Sequence, residues 1–306
     1  MGPIERAAHR QMKLFVLLVL GSCISIAAFT TKPTVQKLSW KPLPRTRPSH
    51  KVRHYTTTSP KDHRTIFQPT LFAENDPKES ISKPTTAAET DELFDGGMTF
   101  TLVGGQSVLI IVALVAAVLA KTPNYGFGTN FVLNLDSFGR GALYTLPLFG
   151  IAKLLDLVED SVPLLKDVTK ATQRSVIALL GGTRKPVLAL FVSGALGLAA
   201  GLGEELLFRG VLQYELLSRF GTEIAVVVTS LIFGALHLVT PIYGLLAFLA
   251  SLFFGSLYNN TQNLAIPIVC HALYDVGALL WAHYEVTALT NEEREEILNW
   301  EGPDEE

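Results

Sequence analysis

Hydrophobic positions along this chain cluster into long runs rather than alternating with polar ones. Apolar stretches cover 102–120, 141–152, 186–203, 224–242, 243–258 and 264–282, and several exceed sixteen residues without an Asp, Glu, Lys or Arg. Runs of that length read as membrane-crossing helices rather than strands. The expected fold is all-α, a polytopic transmembrane helical bundle of about 5–7 spans following a targeting segment. The stretch 141–152 is short and contains Pro147, so it is expected to be a tilted or partial span. Ser193, Gly197 and Gly201 recur every four residues, the small-residue spacing that lets membrane helices approach closely.

Ahead of these runs the pattern differs. Residues 1–28 place Arg6, Arg10 and Lys13 before the short apolar run 14–20 and end in small residues, the layout of a signal peptide. Residues 29–65 hold nine Lys and Arg against one Asp and show no periodicity, as a transit peptide or basic arm would. The junction Ala27-Ala28-Phe29-Thr30 resembles the signal-plus-transit presequences of algae with secondary plastids, which implies a plastid membrane. A plain signal anchor with a basic tail, and so an endomembrane location, is the alternative. Residues 66–98 read as a polar linker, 99–283 as the membrane domain and 284–306 as an acidic tail, a solvated end.

Composition narrows the function. Residues 99–283 carry 20 charged side chains among 185 positions, and the 51 residues between Glu223 and Asp275 carry none. A soluble α/β enzyme is excluded. Two cysteines exclude a disulfide framework or a Cys-ligated zinc site. A net charge of −3 gives no reason to invoke nucleic acid, which leaves the lipid bilayer and a membrane-associated protein or peptide as partners.

Ionisable residues inside such runs are costly, at roughly 2.5–3.5 kcal/mol each on insertion scales. Glu204, Glu205, Arg209, His237, His271 and Asp275 must therefore pair or share a wet cavity. Glu205 and Arg209 are four apart with the acid first, the favourable helical pairing, and read as a buried ion pair that supports packing. Glu204 points about 100° away and is left free. Phe233 and His237 are also four apart, as are His271 and Asp275. A carboxylate, two imidazoles and a group able to orient an imidazole are what water activation requires.

The ordered series Glu-Glu-x-x-x-Arg, Phe-x-x-x-His and His-x-x-x-Asp, over about 185–282, resembles the CPBP family of intramembrane endopeptidases. That family includes the type II CAAX prenyl proteases and bacteriocin-processing Abi proteins. The resemblance implies that Glu204 and His237 activate water, that His271 and Asp275 stabilise the oxyanion, and that Glu205, Arg209 and Phe233 support them. Asp275 departs from the Asn common in the prenyl proteases, and an ionised Asp cannot donate a hydrogen bond. The expectation is that Asp275 accepts a proton from His271 and fixes its ring, freeing the other nitrogen for the oxyanion.

Other chemistries also suit these residue types. Glu204, His237 and His271 are also acceptable zinc ligands, so a divalent metal stays an alternative with no cofactor firmly assigned. His-Glu-x-x-His and Gly-x-Ser-x-Gly are both absent from the sequence. Cys270 adjoins His271, but neighbours on a helix point about 100° apart, so it reads as a buried inert thiol. A non-catalytic membrane scaffold or immunity-type member of the same family is the alternative function, disfavoured because a scaffold has no use for an unpaired Glu204 in lipid.

Overall fold

The computed structural model describes residues 96–300; the signal-peptide and basic-arm readings and nearly all of the linker lie outside the described residues. Among the described residues, eight helices longer than four residues follow one another. They are α1 (Gly96–Ala120), α2 (Leu135–Val158), α3 (Pro163–Leu180), α4 (Pro186–Phe220), α5 (Thr222–Leu236), α6 (Pro241–Thr261), α7 (Ala265–Val286) and α8 (Asn291–Asn299). No strand occurs among the described residues. Five helices, α1, α2, α4, α6 and α7, are long and apolar enough to cross a membrane, and α5 is a shorter apolar helix. The expected all-α polytopic bundle is what forms.

Local chemistry sets the boundaries. Pro163, Pro186 and Pro241 open α3, α4 and α6, where a missing N–H costs nothing. Gly221, with φ of 82°, is the single residue between α4 and α5, a conformation that other residues adopt only with strain. α2 runs well beyond the expected partial span. Asn134 and Ser137 form a reciprocal capping box at its start, and Pro147 sits within it. Asp136, Arg140, Lys153 and Asp156 pair along its ends, which is why charge hid them from an apolar scan. The expected run 224–242 also divides differently. α5 stops at Leu236, and the Thr240 hydroxyl accepts from Tyr243 N–H at 3.2 Å to start α6.

Two elements carried no long apolar run. α3 is amphipathic, burying Leu165, Val176, Ile177, Leu179 and Leu180. The acidic end is not merely solvated. Thr290 and Glu293 cap α8, which buries Ile297 beside Val176 and Val286, while Arg174 of α3 donates to Trp300 O at 2.7 Å.

The centre of the bundle is the contact between α4 and α7. A Cβ on Gly197 would fall 2.8 Å from Ala272 O, and one on Gly201 2.8 Å from Ala272 N. In lipid this intimacy is the packing force, since burying apolar groups against apolar tails gains little. The close approach carries the C-terminal half of α4 past the middle of α7. There α4 leaves α-helical geometry for a π-helical stretch, Leu206–Gln213, every residue of which is buried. Such stretches are uncommon and recur at functional sites. Gly210 lies within it, where a Cβ would come 2.2 Å from Gly126 O.

Candidate active site

All six ionisable residues singled out in the sequence meet where α4, α5 and α7 converge. On the inner side, Arg209 Nη1 donates to Glu205 Oε1 at 3.1 Å, and Nη2 donates to Ser251 O and Oγ at 3.0 and 2.8 Å. Both side chains of the pair are 0% exposed. The guanidinium also lies 5.2 Å from the Phe233 ring and 5.5 Å from Phe254. The pair thus ties α4 to α6 as well as neutralising itself.

Glu205 has a second task that spacing alone did not reveal. His271 Nδ1–H donates to Glu205 Oε1 at 2.8 Å, so the same oxygen serves both the guanidinium and the imidazole. The orienting partner of His271 is therefore Glu205, where Asp275 had been expected. Asp275 Oδ2 lies instead 3.6 Å from His271 Nε2, too long for a hydrogen bond. The reason is tertiary. The glycine contact between α4 and α7 brings Glu205 against one edge of the ring, leaving the i+4 carboxylate to the other. Phe254 stacks on the His271 ring, with centroids 4.7 Å apart and planes 12° apart, and closes one of its faces.

His237 is not on the helix where its spacing from Phe233 suggested. It caps α5, with Nδ1–H donating to Phe233 O at 2.8 Å, one of the carbonyls a helix end leaves unpaired. The four-residue spacing still stacks the two rings, at 4.2 Å and 18°. Because Nδ1 holds the proton, Nε2 of the neutral ring is an acceptor. It faces Glu204.

Glu204 Oε2 lies 3.9 Å from His237 Nε2 and 3.9 Å from His271 Nε2. It is nearly buried, whereas His237 and Asp275 are 27% and 29% exposed and form the open side of the site. A gap of 3.9 Å between polar atoms is the separation a bridging water spans. A water placed there would have two acceptors to donate to, the carboxylate and His237 Nε2.

The same three groups fit a metal poorly. Tetrahedral ligands at zinc distances sit about 3.3 Å from one another, closer than the 3.9 Å seen here. No group of three or more His, Cys, Asp and Glu arranged for a metal occurs among the described residues. Cys270 is buried, with its carbonyl accepting from Thr145 Oγ1 at 3.3 Å.

Sequence reasoning missed Ser251 and Phe254. Neither stands out in an apolar helix, and Ser251 reaches Arg209 across 42 residues of chain. Tyr243, whose ring centroid is 6.2 Å from that of His237, also lay unmarked on the open side.

A family model of Rce1-like type II CAAX prenyl endopeptidases matches residues 186–277, from the start of α4 to the middle of α7. No curated protein and no solved structure matches the chain. The matched segment contains every residue of the buried pair and of the Glu204 cluster. This integral membrane protein therefore carries, over 186–277, a domain of the CPBP/CAAX protease family of intramembrane endopeptidases.

Proposed function

We propose that the protein is an active intramembrane endopeptidase that cleaves a membrane-associated protein or peptide with water activated by Glu204 and His237. The observation that carries the reading is the Glu204 carboxylate, nearly buried and 3.9 Å from two imidazole nitrogens, with its neutralising cation assigned to the neighbouring Glu205 instead. Glu204 takes a proton as water adds to the scissile carbonyl, and the oxyanion forms against His271 Nε2–H. Asp275, 3.6 Å from that nitrogen, supports the imidazolium by charge. Glu205 holds the ring and Arg209 holds Glu205. The protein supplies both base and electrophile, so no step needs a metal.

Quantitative membrane proteomics comparing wild type with Glu204→Ala tests the reading. Proteins that accumulate uncut in the variant are expected, and identical cleavage patterns would refute it. The Ala27-Ala28-Phe29 junction and the basic arm support a plastid membrane as the site of action. A fluorescent protein fused behind residues 1–65 is expected to enter plastids; secretion would remove the location and leave the chemistry untouched.

A further inference from the structure

Behind the Glu204 cluster, three helices enclose a seam of buried polar atoms that have no partner. α4 contributes Glu205 Oε2, Arg209 Nε and Gln213 Oε1 at four-residue steps, and α5 contributes Thr229 Oγ1 and Ser230 Oγ. The helices are pinned around them in register. Arg209 donates to Ser251 of α6, and one turn further Gln213 Nε2 donates to Gly255 O at 3.1 Å. A Cβ on Gly255 would lie 2.8 Å from Gln213 Oε1 and 3.2 Å from Val226 of α5. At the other end, Phe233 of α5 lies against Arg209. Thr229 and Ser230 fall between Val226 and Phe233 on the same helical face, and so line the seam between its two ends.

Their hydroxyls are also turned away from the usual shelter. Ser107, Thr145 and Thr261, in other apolar helices, donate to the carbonyl four residues back, whereas Thr229 and Ser230 do not. Each of the five buried orphans would be destabilising if dry. Buried water is the ordinary remedy, and the seam offers the mixture of donors and acceptors that water needs. Gln213 links the seam to a surface cleft lined by Asn130, Tyr214, Tyr258, Asn259 and Gln262, eight residues along α4 from Glu205. Amides and phenols make that lining neutral, suited to water and without a charge to hold an ion.

We infer that the α4–α5–α6 seam holds a file of water running from the Gln213 cleft to the Glu205–Arg209 pair, a rear supply to the site. Its catalytic role rests on the proposed peptidase activity; its existence does not. A substrate lying over His237 and Asp275 displaces water from the open side, yet each turnover consumes one. A rear file replaces it without opening the front.

Radiolytic hydroxyl-radical labelling of the full chain in phosphatidylcholine nanodiscs tests this, because radicals born from bound water mark the side chains beside it. Val226 faces the seam and Val227, 44% exposed, faces outward from the same helix, so chemistry is matched and only surroundings differ. Val226 is expected to be oxidised several-fold faster than Val227 in wild type and in Glu204→Gln alike. Equal rates would overturn the inference, as would fast labelling that survives Thr229→Val combined with Ser230→Ala. In a cleaving enzyme the same double change is expected to lower kcat several-fold at unchanged KM. Unchanged kcat with lost labelling would overturn the supply role. A labelled seam in a wild-type chain that cleaves nothing would refute the peptidase reading and leave the water file standing.

Discussion

Glu204 and Glu205 are chain neighbours in the same helix, yet they belong to two regions built on opposite terms. The inner region, Glu205 with Arg209, Ser251 and His271 Nδ1, is held by hydrogen bonds of 2.8–3.1 Å and is closed at its core. The outer region, Glu204 with His237, Asp275 and His271 Nε2, is spaced at 3.6–3.9 Å and partly open. Short, multiply bonded contacts suit a framework, because they fix each side chain in one place. Loose, unsaturated ones suit chemistry, because a water and a carbonyl must still fit between them. His271 belongs to both, one nitrogen in each.

Arg209→Ala against Glu204→Gln is the sharpest way to break that division. Removing the guanidinium strands Glu205 in an apolar bundle and is expected to cost about 3–5 kcal/mol of stability, read as loss of folded protein in detergent. Glu204→Gln keeps shape in a region that was never tightly bonded. It is expected to leave the melting temperature near wild type while cleavage falls to background. An Arg209→Ala protein as stable as wild type, or a Glu204→Gln protein that cleaves normally, would erase the distinction.

Asp275→Asn probes the outer region more gently. The substitution removes a charge 3.6 Å from His271 Nε2 but leaves the Glu205 bond that orients the ring. Steady-state kinetics are expected to show kcat lowered by about tenfold, the scale of one weak transition-state contact, with stability unchanged. Full activity would mean that Asn and Asp do the same work here, as neutral donors. The smallest effect expected is none. Exhaustive chelation should leave cleavage intact, since carboxylate and imidazole groups of the chain supply both proton transfer and oxyanion binding. Loss with a chelator and recovery with zinc would turn Glu204, His237 and His271 into ligands and collapse the outer region into a metal centre.

The candidate site residues were legible in the sequence for one physical reason, the cost of charge in lipid. A bilayer makes each ionisable side chain in an apolar run conspicuous, and Glu204, Glu205, Arg209, His237, His271 and Asp275 stand out against 51 uncharged neighbours. The same contrast hid whatever was not apolar. α3 and α8 escaped because an amphipathic helix at a surface has no long run to see, and the ends of α2 escaped because their charges pair locally.

The long apolar helices, the four-residue pairing of Glu205 with Arg209 and the small-residue stripe through Gly197 and Gly201 are properties of local spacing, and the sequence determined them alone. Which partner each shared group takes is decided by distances between helices, and no spacing along one helix contains those. Asp275 is the nearest carboxylate to His271 along the chain, but Glu205, 66 residues away, takes its Nδ1 because two glycines let α4 and α7 touch backbone to backbone. His237 turns out of α5 because Thr240 and Pro241 begin the next helix, and its Nδ1 is drawn to the carbonyl that the break exposes. Tertiary packing thus chose the partner of His271 and left the 3.9 Å gap around Glu204, since both depend on where three separate helices come to rest.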